Sequence, residues 1–383
     1  MRGRAFAAAL LSALAPQLDH ALRVPHVSPA ATGAVAVDLT TGATLYAHNV
    51  TLPLLPASNE KLTVTYAALT ALGPDFRIET DVLEDDAGDL ILKGYGDPTL
   101  SSAQLNVLAR QVRAAGITAV HGAIVADESW FDTRRTAPGW KAEFYINESP
   151  PLSALIVDRG RVPSGGTSSD PALAAAQLFQ KALLRAGVRV AHGAAHGVAP
   201  ADAQVVASVD SPPLSAIVHW MDTVSDNFDA EMLLKELGAV QAGVGTTAAG
   251  VGVVAGLLAQ AGVPMTGVRL VDGSGLSLLD RLTPAALVSL LQAMWNDPEL
   301  RLELLSSLPV AARTGTLHDR MLHTAAAGVV RAKTGTTSNA SALCGFVGDH
   351  YVFAILQNGW PVSWTWARRA QDRFAIVLAK AQG

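Results

Sequence analysis

Strand-like segments stand at both ends of this chain with helix-like segments between them, and that distribution constrains the fold more than any other feature. Ala34-Val35-Ala36-Val37 and Ala43-Thr44-Leu45-Tyr46 flank the turn residues Thr40-Thr41-Gly42, which predicts a hairpin over Thr32 to Asn49. Near the other end, Val329 to Ala332, Ala342 to Val347 and Tyr351 to Leu356 read as three more strands, the last two joined through Gly348-Asp349-His350. Backbone N–H and C=O groups inside a core must be paired. Two strands at the start and three near the end therefore predict one antiparallel sheet shared by both chain ends.

Between them the texture changes twice. A helix is expected to start near Ser58, with Leu62, Tyr66 and Leu69 on one face and Gly73-Pro74 as its stop. From Phe76 to Val206, short strands (Asp81 to Leu83, Leu90 to Leu92, Ile124 to Ala126) alternate with turns. Helical patches lie at Gln104 to Ala115 and Pro171 to Ala186, and Val162 to Asp170 reads as a Gly/Ser/Pro-rich loop. Helices then resume at Leu214 to Met221, at Thr283 with Pro284 in its first position, and at Trp364 to Gln382. In the last helix, Trp366, Ala370, Phe374 and Val377 suit packing on a sheet, although its tryptophans and basic residues also fit a membrane-surface helix. The expected organisation is an N-terminal segment over 1–30, a catalytic domain from 31–75 and 207–383, and an inserted mixed α/β domain over 76–206.

Composition excludes some classes. Half of the 383 residues are hydrophobic and the net charge is −5, so the chain can bury a large core and has no basic excess to hold a nucleic acid. The single cysteine, Cys344, can make neither an intrachain disulfide nor a thiolate cluster, and its apolar surroundings read as core. The ten histidines lack metal-binding spacing, so no metal or other cofactor is expected. Arg2 and Arg4 precede an apolar run to Ala15, which fits an export signal and a short N-terminal helix equally well; it is too short to span a bilayer.

Three short motifs carry chemistry: Ser58-Asn59-Glu60-Lys61, Ser225-Asp226-Asn227 and Lys333-Thr334-Gly335. A serine hydroxyl is a weak nucleophile and needs a base. Residues three apart on a helix share a face, so Lys61 can reach Ser58, and a buried lysine among other cations gives up its proton more readily. Ser58 opens its helix, which leaves its N–H for a developing oxyanion. Ser225 can relay a proton to a leaving amine, and Asn227 can donate to a substrate amide. Lys333 would set positive charge against a substrate carboxylate. Gly335, on the same side of the strand, would let substrate backbone approach, and the Thr336 N–H would be the second oxyanion donor. Each motif alone is uninformative; all three in this order are the signature of penicillin-binding proteins and class A β-lactamases.

The flanking residues sharpen the resemblance. Leu55 to Leu62, Lys93 to Leu100, Val224 to Phe228, Asp272 to Ser277 and Arg331 to Thr336 resemble the class C low-molecular-mass penicillin-binding proteins, the D-alanyl-D-alanine carboxypeptidase/endopeptidase family. Class A β-lactamases lack an insertion between their first two motifs. The resemblance implies a transpeptidase-like α/β domain split by an insertion. It implies acylation of Ser58 by a peptidoglycan stem peptide, inhibition by β-lactams, and a place outside the cytoplasmic membrane. One departure is Leu278, where members often carry an arginine for a second substrate carboxylate; Arg281 is nearby, and Glu143 is the nearest acidic residue for the amine of a diamino acid. Two rival readings share the motifs: a β-lactamase-like hydrolase or esterase, and a non-catalytic wall-binding module.

Overall fold

The two ends of the chain do meet in one sheet. The computed structural model describes residues 14–162 and 165–382, which divide into two units. The first comprises the chain up to Thr70, Val218–Asn227 and Val254–Gly383; the second comprises Ala71–Ile217 and Phe228–Val253. The segment Phe228–Val253, which the sequence reading kept with 207–383, thus clusters with the second unit.

In the first unit the sheet has five strands, in the order Val330–Thr336, Ala340–Val347, Tyr351–Asn358, Thr32–Asp38 and Thr44–His48. Every pairing is antiparallel; Ala34 lies opposite Ile355, and Lys333 opposite Cys344. Ala340–Val347 is buried along its whole length, because both faces of the sheet are covered. One face supports a core in which Phe353, Ile355 and Leu343 meet Phe374 and Leu378 of the C-terminal helix (Trp364–Lys380) and Leu18 of a helix over 14–22. The other receives the helix Pro284–Asn296, whose Trp295 ring lies 5.0 Å from that of Phe346. Thr283 caps that helix by accepting from the Ala286 N–H, and Pro284 needs no partner at the first position.

The C-terminal helix does lie on the sheet and buries Ala370 and Phe374 as expected, but Ala367, Gln371, Ala375, Leu378 and Ala379 complete the stripe in place of Trp366 and Val377. Small alanines let the helix approach closely, and the bulkier Trp366 and Val377 are left half-buried at its margins. The apolar run at the N-terminus falls outside the described residues as far as residue 13. From 14 on it is helical, and Leu14, Leu18 and Leu22 are buried.

The second unit holds a mixed five-stranded sheet, in the order Ala194–His196, Ile124–Asp127, Leu90–Gly94, Glu79–Glu84 and Gln204–Asp210. The helices Ser102–Ala114 and Pro171–Arg185 pack on it through a core that includes Leu105, Leu108, Phe179 and Leu183. Ser101 and Gln104 form a reciprocal capping box at the start of the first of these helices.

Candidate active site

The three motifs converge within the first unit. Ser58 sits in a 3₁₀ turn, Ala57–Glu60, and the α-helix proper starts at Lys61. The helix does begin beside Ser58 as expected, but its first turn is 3₁₀: Ala57 stands at φ 47°, and Asn59 N–H bonds back to the Pro56 carbonyl at 3.3 Å. The tighter turn serves the chemistry, since residues three apart eclipse one another in 3₁₀ geometry. Lys61 Nζ accordingly stands 3.1 Å from Ser58 Oγ. It also reaches Asn227 Oδ1 at 2.8 Å and the Ser274 carbonyl at 2.7 Å. The Lys61 side chain is fully buried.

Ser225 lies between the helices Leu214–Val224 and Asn227–Ala242. Asp226 N–H bonds to the Met221 carbonyl at 2.8 Å, the closing bond of a Schellman turn, which puts Ser225 in the left-handed position normally given to glycine, at φ 65°. Holding a serine there costs on the order of 1–2 kcal/mol. The turn aims its hydroxyl at Lys333, whose Nζ lies 2.7 Å away.

Lys333, on the strand Val330–Thr336, has no exposed surface, and burial pushes its pKa down to about 7. The neighbouring Lys61 charge acts in the same direction, and Asp222 opposes it. Asp222 lies on the helix that ends at Ser225. Its Oδ2 accepts from Thr65 Oγ1 at 2.8 Å and from Ser307 Oγ at 3.3 Å, and burial raises its pKa against the pull of Lys333 and Lys61. This carboxyl ties the helix that begins at Lys61, through Thr65, to the helix that delivers Ser225.

The remaining predicted residues sit along the strand. Thr334 Oγ1 bonds Thr316 Oγ1 at 2.7 Å, and Thr336 Oγ1 accepts from Arg368 Nη2 at 3.3 Å. Gly335 has a different local reason from the one expected. A Cβ there would lie 2.8 Å from the Pro56 carbonyl and 3.0 Å from Asn59 Oδ1, so the missing side chain makes room for the Ser58 turn. Below it, Asn59 Nδ2 donates to Cys344 Sγ at 2.6 Å, which gives the buried thiol a polar partner as well as its apolar packing.

Sequence reasoning did not assign Ser274, Asp222, Thr316 or Arg368 to the site. The Asp272 to Ser277 run did carry a signal, but it reads equally well as a tight turn. It is both: Gly275, at φ 78°, has its backbone pressed on the Ala57 carbonyl, where a Cβ would come within 1.9 Å. Arg281, weighed for a substrate carboxylate, is committed to its own loop, with Nη1 donating to the carbonyls of Leu278 at 3.0 Å and Asp280 at 2.6 Å. Glu143 belongs to the second unit, on an exposed 3₁₀ turn 3.9 Å from Lys141. Among the described residues no group of histidine, cysteine and carboxylate side chains could hold a metal ion.

The sequence matches the D-Ala-D-Ala carboxypeptidase 3 (S13) family over residues 14–168 and 162–381. The chain belongs to that family. It is accordingly a serine peptidase of the D-alanyl-D-alanine carboxypeptidase class. A D-alanyl-D-alanine carboxypeptidase of Actinomadura sp. (strain R39) is 33% identical over 98% of this chain and 86% of its own length. In fold, the chain resembles the crystal structure of penicillin binding protein 4 from Haemophilus influenzae, with a TM-score of 0.83 over 95% of this chain and 98% of that one at 21% identity. The same protein complexed with a β-lactam matches with a TM-score of 0.79, at 22% identity and the same coverage of both chains. The antiparallel sheet flanked by helices with an inserted domain, expected from the sequence, is the fold shared with that protein.

Proposed function

We propose that Ser58 is the acylated nucleophile of a carboxypeptidase acting on peptidoglycan stem peptides, and that Lys61 is its base. The coordination of Lys61 Nζ carries this reading. Two of its partners, Asn227 Oδ1 and the Ser274 carbonyl, can only accept. In the structure Nζ donates to Ser58 Oγ as well, at 3.1 Å; once deprotonated, the amine keeps an N–H for each of the two acceptors and has its lone pair left for the Ser58 proton.

As Oγ bonds to the carbonyl carbon of the penultimate D-alanine, its proton passes to Lys61 Nζ. The N–H groups of Ser58 and Thr336 receive the oxyanion. The C–N bond then breaks as the leaving amine takes, through Ser225, the proton that Lys61 accepted, which returns Lys61 to a neutral amine; Lys333 holds Ser225 by a hydrogen bond. The Asn227 amide donates to the substrate's own amide carbonyl. Lys333 and the Thr334 hydroxyl take the terminal carboxylate, and Gly335 keeps the strand close to the nucleophile. Water then attacks the ester, with Lys61 again as base, and releases the shortened peptide.

A β-lactam offers the same acyl carbon and the same carboxylate, so it acylates Ser58 and acts as an inhibitor. Peptidoglycan lies outside the cytoplasmic membrane, so the enzyme works in the cell envelope as an exported protein. Among the described residues no helix is long and apolar enough to cross a membrane.

The test is benzylpenicillin labelling followed by intact mass and peptide mapping. One stable adduct on the peptide that contains Ser58 is expected. An adduct elsewhere, or none, overturns the assignment, and fast multiple turnover would favour the β-lactamase-like alternative.

A further inference from the structure

Behind the Ser58 turn, three carboxyl groups are buried together: Glu60, Asp272 and Asp280 are each 1% exposed or less. Asp272 organises the loop that follows it. Its Oδ1 accepts from the Gly275 N–H at 2.8 Å, and its Oδ2 accepts from the Ser277 N–H at 2.8 Å and Ser274 Oγ at 3.1 Å. Asp280 closes the far side of the loop: its Oδ1 accepts from the Val271 N–H at 2.7 Å. The Asp272 N–H reaches the same Oδ1 at 3.4 Å, which sets the two residues side by side, and Asp280 Oδ2 is buried with no N–H or O–H donor to meet it. Arg281 attracts Asp280, but no cationic neighbour donates to Asp280 Oδ2. Arg281 spends its guanidinium on the Leu278 and Asp280 carbonyls, and Arg269 Nε donates to the Leu279 carbonyl.

Two buried carboxylates side by side with a third close by are too costly to keep all ionised. One proton removes the conflict and supplies the missing donor. We propose that Asp280 is held as a neutral carboxylic acid and is a positioning residue for Lys61: its proton bonds it to Asp272, and the loop so braced holds the Ser274 carbonyl against the Lys61 amine. The link is short. Asp272 bonds the hydroxyl of Ser274 and the N–H groups on either side of Leu276, and the Ser274 carbonyl lies 2.7 Å from Lys61 Nζ. Burial and the charges of Asp272 and Glu60 raise the Asp280 pKa well above the ordinary carboxyl value, as the geometry requires.

This inference rests on Lys61 being the base, but it can fail separately. The substitution Asp280→Asn would keep the arrangement without a titrating proton, since the carbonyl of the new amide can accept from Val271 and its NH₂ can donate to Asp272. In the infrared spectrum at neutral pH, the wild-type protein should show the carbonyl stretch of protonated carboxylic acids, and the wild-type minus Asp280→Asn difference spectrum should contain one such band. Acylation by benzylpenicillin should stay within about threefold in Asp280→Asn and fall by about tenfold or more in Asp280→Ala, the range typical of groups that orient a catalytic residue from behind. That loss should appear in the acylation rate constant, with the preceding binding constant unchanged. Raising the pH until the band disappears should slow the wild type and leave Asp280→Asn unaffected by that step. A difference spectrum without that band, or equal losses in the two variants, overturns the proposal. Normal acylation by Lys61→Ala would instead overturn the assignment of the base, and the infrared result would stand.

Discussion

The clearest test at the scale of a single residue concerns the charge of Lys333. A lysine with its pKa near 7 is only partly an ammonium at neutral pH. If it binds the terminal carboxylate, free enzyme above that pH must take up a proton as substrate binds. The sign follows directly: Lys333 is protonated below about 7, so carboxylate recognition is complete on the acid side and weakens as pH rises through 7. Each pH unit above that point should cost kcat/KM at most about tenfold on a peptide with a free D-Ala-D-Ala terminus. An amidated or thioester analogue without the carboxylate should lack that limb. Lys333→Ala should lose about 2–4 kcal/mol of transition-state stabilisation on the first substrate and much less on the second. Equal losses on both substrates would remove Lys333 from carboxylate recognition. The Lys333 position could be read from the motif, but its depressed pKa could not. That shift comes first from the burial of the strand, which segments far apart in sequence complete.

Among the elements, the strands were legible because alternation and turn residues mark them locally, and the sheet followed because the chain ends had nowhere else to pair. Two long helices were not. Asn227–Ala242 is buried from Phe228 through Ala239, so it shows no polar face and no period. Thr247–Gln260 carries Gly250, Gly252 and Gly256, which read as breakers. At Gly250 the reason is packing, since a Cβ would lie 1.9 Å from the Leu234 carbonyl. The Asp272 to Ser277 loop escaped assignment for a related reason, because its work is done by the Ser274 backbone carbonyl. Gly275 tests that loop as an element. Alanine there must adopt φ 78° and also displace the Ala57 carbonyl. Gly275→Ala should lower stability by about 1–3 kcal/mol and slow acylation of Ser58 more than a surface change of equal stability cost. Thermal unfolding and penicillin labelling together check it; a variant with wild-type stability and labelling would show that the close approach is not needed.

For the whole molecule, acidic and basic buried groups push stability in opposite directions over different pH ranges. In the second unit, burial raises Glu236 from 4.5 to about 7, although its Oε2 accepts from Trp130 Nε1 at 2.8 Å, and burial raises Asp97 from 3.8 to about 6. In the first unit, Lys333 is lowered from 10.5 to about 7. A carboxyl with a raised folded pKa carries no penalty below its unfolded value, because both states then hold the proton. The penalty grows as pH rises from 4.5 and is complete above about 7 for Glu236. For Lys333 the penalty is complete below about 7 and disappears only above 10.5. Between 4.5 and 7 the buried carboxyls of both units, Asp222 and Asp280 with Glu236 and Asp97, set the slope, and the protein should become less stable as pH rises through that window. For Glu236 the full effect is on the order of 3 kcal/mol. Glu236→Gln keeps an acceptor for Trp130 and removes the charge. It should match the wild type near pH 5 and exceed it by a few degrees in Tm near pH 8, the gain confined to the transition of the second unit. Calorimetry of both proteins at the two pH values is the measurement. If Glu236→Gln has the same Tm advantage at both, or none at either, folding does not raise the Glu236 pKa, and the pH dependence must come from elsewhere.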